Sequence, residues 1–218
     1  MWNKIDSQNQ LGWLQFNSLQ QIYAEEEPGV ASIRTVEPVV RFCAVITRHE
    51  AARQWAVTRI AETWGAVCVR SPEIPFEAGG FYTASMGSDL TKSLLAFDGF
   101  VDPGGLADWK RQTNLWEAEY AEASDHPEDR PLNLDPGYMS QAKLVLATTK
   151  DRDHRIYLRD GMFAEVTLTY VGKSWQHHRW SYPSYRTEEV AEFASACRDR
   201  LRQHLRETRQ FRQGKHTS

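Results

Sequence analysis

The chain lacks any apolar run long enough to cross a bilayer, so no membrane-spanning segment is expected. Its first residues, Met1-Trp2-Asn3-Lys4-Ile5-Asp6, lack the apolar stretch of a secretory leader, which points to the cytoplasm. Cysteine is sparse. Cys43, Cys68 and Cys197 are far apart, each sits in an apolar stretch, and no Cys-x-x-Cys pair occurs. That excludes a disulfide framework and predicts reduced, buried thiols. Neither charge sign dominates: 26 Lys and Arg face 29 Asp and Glu, for a formal net charge of −3. A generally basic nucleic-acid binder would read otherwise. No Gly-x-Ser-x-Gly elbow is present. No phosphate loop is present either. Gly172-Lys173-Ser174 has the right ending, but Thr167 stands where the first glycine is required. His177-His178 and His126 have no partner at ligand spacing, so no metal is expected.

What is there reads as an α+β protein. Residues 1–37 form a Gln- and Asn-rich arm with no sustained period. A single domain is expected over 38–210, followed by a basic tail over 211–218. Val39, Val40, Phe42, Cys43, Val45 and Ile46 form a near-continuous apolar run, the mark of a strand covered on both faces. A helix follows to Trp64, with Thr47 as its cap and Gly65 as its terminator. Ala66–Val69 is a short strand, Phe81–Ser85 a possible one, and Leu94–Val101 another. Asp102-Pro103 opens a helix carrying Leu106, Trp109, Thr113, Trp116 and Tyr120 at helical spacing. Arg130–Leu134 reads as a strand. The order matches a ferredoxin-like split βαβ core. Asp135-Pro136-Gly137-Tyr138 has the residues of a type II turn. An antiparallel β-meander is expected next, over about 142–149, 154–159 and 162–170. A C-terminal helix begins near Glu188, capped by Thr187, with Val190, Phe193, Ala194, Cys197, Leu201 and Leu205 as its core stripe.

Chemistry concentrates in the meander. Asp160-Gly161 is a strong hairpin turn. Counting outward from it puts Ile156 opposite Glu165 and His154 opposite Thr167. His154, Glu165, Thr167 and Thr169 then share one face, with Arg155 on the other. The far rim would gather Thr148, Thr149, Lys150, His154, Arg155 and Thr167. Hydroxyls, an ammonium, an imidazole and a guanidinium together suit a phosphate or carboxylate. Arg155 would reach it round the strand end. His154 and Glu165, as diagonal neighbours, could act as acid and base.

These segments also carry a resemblance. Asp135-Pro-Gly-Tyr138, Lys143-Leu-Val-Leu-Ala-Thr-Thr-Lys150, His154-Arg-Ile-Tyr-Leu158, Asp160-Gly161, Ala164-Glu-Val-Thr-Leu168 and Trp180-Ser-Tyr-Pro183 resemble a bacterial family known only as domain of unknown function 4416. Tyr82-x-x-x-Met-Gly87 and Lys110-x-x-Thr-Asn114 resemble it too. The likeness spans roughly Pro38 to Leu201. Ser181 stands where the family pattern has Thr. The family implies no established activity, substrate or cofactor. Some members carry a loose GTP-binding label, which the missing phosphate loop argues against. The expected partner is an anionic small molecule or nucleotide at the Thr/Lys/His/Arg rim. The alternative is a non-catalytic interaction domain, with structural polar residues and a basic C-terminal helix that meets a partner.

Overall fold

Strand β1 (Val40–Thr47) shows why the first apolar run is continuous. Its side chains alternate. Cys43 and Val45 enter one core, while Phe42 and Ala44 enter another on the opposite face. The computed structural model describes residues 36–77, 80 and 82–210. The predicted N-terminal arm, apart from Val36 and Glu37, and the predicted basic tail lie outside the described residues.

Helix α1 (Glu50–Trp64) follows β1, then strands β2 (Val67–Arg70) and β3 (Ile74–Pro75), helix α2 (Thr83–Met86) and strand β4 (Thr91–Phe97). A 3-10 turn (Pro103–Gly105) leads into α3 (Leu106–Ala123). Strands β5 (Asn133–Met139), β6 (Lys143–Thr148), β7 (Ile156–Arg159), β8 (Met162–Val171) and β9 (Ser174–His177) come next. A second 3-10 turn (Pro183–Tyr185) precedes α4 (Glu188–Thr208).

The strands form one antiparallel sheet in the order β2-β4-β1-β5-β6-β8-β7, with β3 on β4 and β9 on β8. Its first four strands have the ferredoxin-like order. Helices α1 and α3 cover one face through Ile60, Trp64, Trp109 and Trp116. Helix α4 covers the other through Val190, Phe193, Cys197 and Leu201. Each such fully buried side chain contributes about 1.5–3 kcal/mol.

Local signals explain most boundaries. Gly65, at φ 98°, ends α1 and donates its N–H to Ala61 O. Asp102 accepts from Gly104 N and starts the turn into α3. Asp160 and Gly161 both have positive φ, 53° and 73°, as a two-residue primed turn requires. Gly172 and Lys173 do the same at 57° and 72° between β8 and β9. The Gly-Lys-Ser ending is thus a hairpin turn. Two caps differ from expectation. Thr47 Oγ1 accepts from His49 N and donates to Pro131 O, so His49 takes the N-cap position of α1 without a side-chain bond. Thr187 sits at the N-cap of α4, but its hydroxyl caps nothing.

The strand predictions need four corrections. Of the stretch expected as a strand over Phe81–Ser85, residue Phe81 lies outside the described residues, and Thr83–Met86 is one helical turn. Strand β4 starts at Thr91 and ends at Phe97, and Val101 keeps only an isolated bridge to Val39. The third stretch is antiparallel but not a simple meander: β8 lies between β6 and β7. Finally, Asp135-Pro136-Gly137-Tyr138 is not a turn. It is the middle of β5, paired to β1 from Asn133 to Met139. Gly137 has no positive φ among the described residues. Its need for glycine is steric: a Cβ there would lie 2.3 Å from Val145 O and 2.6 Å from Phe42 Cζ.

Gly137→Ala should therefore cost at least about 2 kcal/mol of stability through overpacking against backbone and a buried ring. Urea unfolding measures this directly. A change under about 0.5 kcal/mol would show that the sheet is not so tightly closed there.

Candidate functional site

A cleft opens where β5 and β6 part. Their pairing runs from Met139↔Leu144 to Gly137↔Leu146 and stops. Residues 133–136 are paired only to β1. The next residue whose backbone groups point to the β6 side is Pro136, which has no N–H to offer a ladder. One pair further on is Leu134, whose N–H and C=O are both taken by α3. Its N–H donates to Glu117 Oε1 at 2.8 Å, and Lys110 Nζ donates to its carbonyl at 2.7 Å. A helix ion pair thus replaces the missing strand.

The cleft holds about 780 Å3 of empty space, open mouth included. Four cations line it (Lys110, Arg130, Lys150 and Arg155) against two carboxylates, Asp135 and Glu165. Tyr82, Tyr182, Tyr185 and Phe76 add rings, and Thr148, Thr149, Asn114 and Asn133 add polar groups.

On the β5 wall the polar groups form a connected network. Lys110 Nζ also reaches Asp135 Oδ1 at 3.1 Å, and Asn133 Nδ2 donates to Asp135 Oδ2 at 2.9 Å. Arg130 Nε donates to Glu117 Oε2 at 3.1 Å, and its Nη2 bonds both Glu117 and Asn133. Burial would pull the Lys110 ammonium down, but Asp135 and Glu117 outweigh it and hold its pKa raised. Burial likewise opposes the Asp135 charge, but Lys110 and Asn133 carry its pKa below the usual range. Glu117 goes the other way: burial raises it despite Lys110 and Arg130. Charge on this wall is stabilised at Lys110 and Asp135.

On the opposite wall sits Glu165, buried on β8. It accepts from His154 Nε2 at 3.1 Å, Arg155 Nε at 2.9 Å and Thr167 Oγ1 at 3.2 Å. Arg155 Nη1 donates to Lys150 O at 2.8 Å, which ties the 148–150 rim to the hairpin. The hairpin begins as predicted, with Arg159 opposite Met162. A bulge at Leu158 then shifts it by one: Ile156 meets Ala164, not Glu165. His154 and Arg155 fall before β7, in the connecting turn, which frees both to converge on Glu165 Oε2. Beyond Ala164 the outer edge of β8 is unpaired until β9 begins at Leu168. Trp180 Nε1 fills part of that gap by donating to Val166 O.

Thr148, Thr149, Lys150, Arg155 and Glu165 thus line one cleft. His154 and Thr167 do not line it and act through Glu165. Both His154 ring nitrogens are used, by Asp153 at 2.9 Å and by Glu165, and its ring stacks on Trp180. This suits a clamp better than a proton carrier. Partial burial and Arg130 lower the Lys150 pKa, so a nearby anion would strengthen its charge.

The β5 wall went unread in the sequence. Lys110 stands next to Trp109 inside the buried stripe of α3, and a lysine there needs a buried partner. Asp135 is masked by turn-like neighbours. Lys92 is hidden in the same way. It is fully buried on β4, donates to Ser184 O and Oγ at 2.6 and 2.9 Å, and lies 3.4 Å from the centre of the Tyr185 ring that lines the cleft. Burial lowers its pKa to about 7. His126, isolated in sequence, meets His49 and Glu128 in the fold.

No helix among the described residues is long and apolar enough to cross a membrane. A family model described as "Domain of unknown function (DUF4416)" matches residues 37–201, and the chain belongs to that family. No curated protein and no solved structure matches the chain.

Two outcomes follow. Glu165→Gln should cost about 3 kcal/mol, because the Arg155 guanidinium would stay buried without its counter-charge. Adding Arg155→Met should recover more than half of that in denaturant unfolding; additive losses would break the pairing argument. Lys92 has a pH signature. Its folded pKa of about 7 lies below its ordinary 10.5, so between these values the unfolded chain holds a proton that the folded chain has released. Stability should therefore rise with pH across that window, relative to Lys92→Met. A wild-type-minus-variant difference that stays flat across the window would show that Lys92 remains charged in the fold.

Proposed function

We propose that this protein binds a phosphorylated small molecule, a nucleotide being the best fit, in the cleft between β5 and β6. One observation carries the reading: four cations and two carboxylates line a concave site together with threonine hydroxyls and tyrosine rings. Thr148, Thr149, Lys150 and Arg155 supply the donors a phosphate wants. Tyr82 and Tyr182 offer faces against which a base or sugar would pack. The phosphates are held by side chains, since Gly172-Lys173 is spent on a hairpin turn.

Inorganic pyrophosphate and a nucleoside diphosphate should raise the melting temperature of the full chain, and the parent nucleoside should do less. Lys150 is exposed at the rim, so Lys150→Ala should weaken pyrophosphate about tenfold by titration calorimetry and leave stability nearly unchanged. Lys173→Ala should change affinity by less than about threefold. Binding untouched by Lys150→Ala, or lost in Lys173→Ala, would move the site elsewhere.

A second reading as an interaction domain has one observation behind it. The outer edge strand β7 exposes Ile156, Tyr157 and Leu158 in succession, and such an edge can accept a partner strand. The basic face of α4 supports it less. Arg198 is used on Gln141 O at 2.7 Å, and Arg200 on Asp98 at 2.9 Å.

A further inference from the structure

Outside the cleft, three side chains of metal-binding type converge. His49 stands at the start of α1, while His126 and Glu128 lie in the connection from α3 to β5. One ligand atom from each falls within 4.8 Å of the others. His49 Nε2 is 2.9 Å from Glu128 Oε2, and the His49 and His126 rings stack with centroids 3.8 Å apart.

We propose that His49, His126 and Glu128 bind one divalent first-row transition ion of the zinc type. The donor set decides the class. Two imidazole nitrogens disfavour calcium and magnesium, which want oxygen, and two imidazoles with one carboxylate suit zinc. A tetrahedral ion with bonds of about 2.0–2.1 Å places its ligand atoms roughly 3.3 Å apart, so short side-chain rotations close the site. Water would supply the fourth ligand.

The surroundings match what a bound ion requires of its outer partners. Tyr120 Oη lies 3.0 Å from His126 Nε2 and leaves Nδ1 for the ion. Arg48 Nη1 holds Glu128 Oε1 at 3.4 Å and leaves Oε2 facing His49. The connection is pinned on both sides of Glu128. Thr47 Oγ1 donates to Pro131 O at 2.7 Å, Arg130 N donates to Ser85 O at 2.9 Å, and Tyr120 fixes His126. The ligands are therefore brought together before any ion arrives.

The test uses the full chain after chelation, titrated with Zn(II) and Co(II). One Co(II) per chain should bind with visible absorption typical of a tetrahedral nitrogen and oxygen site. His126→Ala and Glu128→Gln should each weaken Zn(II) at least about tenfold. His177→Ala, at the distant His177-His178 pair, should leave Zn(II) affinity unchanged. If His126→Ala fails to fold, Glu128→Gln still reports on the site. Proton NMR of the wild-type chain gives a variant-free check: substoichiometric Co(II) should broaden or shift the His49 and His126 ring protons before those of other histidines. Absence of stoichiometric binding, affinity unchanged in Glu128→Gln, loss in His177→Ala, or first effects at other histidines would each overturn the assignment.

Discussion

The backbone of Leu134 has its N–H on Glu117 and its C=O under Lys110, where a neighbouring strand would ordinarily stand. That substitution governs the rest. A buried backbone pair without partners costs several kcal/mol, so β5 can leave β6 only if something else bonds it. Pro136 makes the separation acceptable, since it removes the next N–H that β6 would have to satisfy. Gly137, one residue on, does the reverse. It lets β6 approach so closely that Val145 O would collide with any side chain. The sheet is therefore pinned shut at Gly137 and held open at Leu134, and the cleft begins between them.

The opposite wall follows the same logic with different parts. The ladder of β7 ends at Ile156, which leaves His154 and Arg155 in the preceding turn, and the break between β7 and β9 leaves β8 unpaired on its outer edge around Glu165. Buried Glu165 needs donors, and the two turn residues plus Thr167 supply them. Each wall thus joins a backbone irregularity to a buried, compensated charge. Such groups are costly to keep unless geometry is held tightly, and a preorganised set of charges facing a concave space is what anion recognition requires.

Much of this was legible in the sequence, for reasons that differ by element. Continuous apolar runs and helical stripes fixed β1, α3 and α4, because burial alone selects them. The Asp160-Gly161 turn was readable because both positions need positive φ. The gathering of Thr148, Thr149, Lys150 and Arg155 was also readable, although His154 and Thr167, expected beside them, do not line the cleft and the counted register was off by one. A bulge has no composition of its own, so Leu158 gave no warning. The Asp135-Pro136-Gly137-Tyr138 segment misled because turn propensity is local, while its actual causes are the distant Val145 carbonyl, the Phe42 ring and Lys110. For the same reason the β5 wall could not be read: Lys110, Arg130 and Asp135 become neighbours only through the crossing of α3 over the sheet. His49 and His126 are likewise brought together by tertiary packing alone.

The most direct measurement is residue-resolved amide NMR of the full chain during titration with inorganic pyrophosphate. The account predicts that the largest shifts fall on both walls of the gap, at Leu134 and Asp135 on β5 and at Thr148, Thr149 and Lys150 after β6. Shifts confined to Gly172, Lys173 and Ser174 or to α4, or no shifts at all, would contradict it.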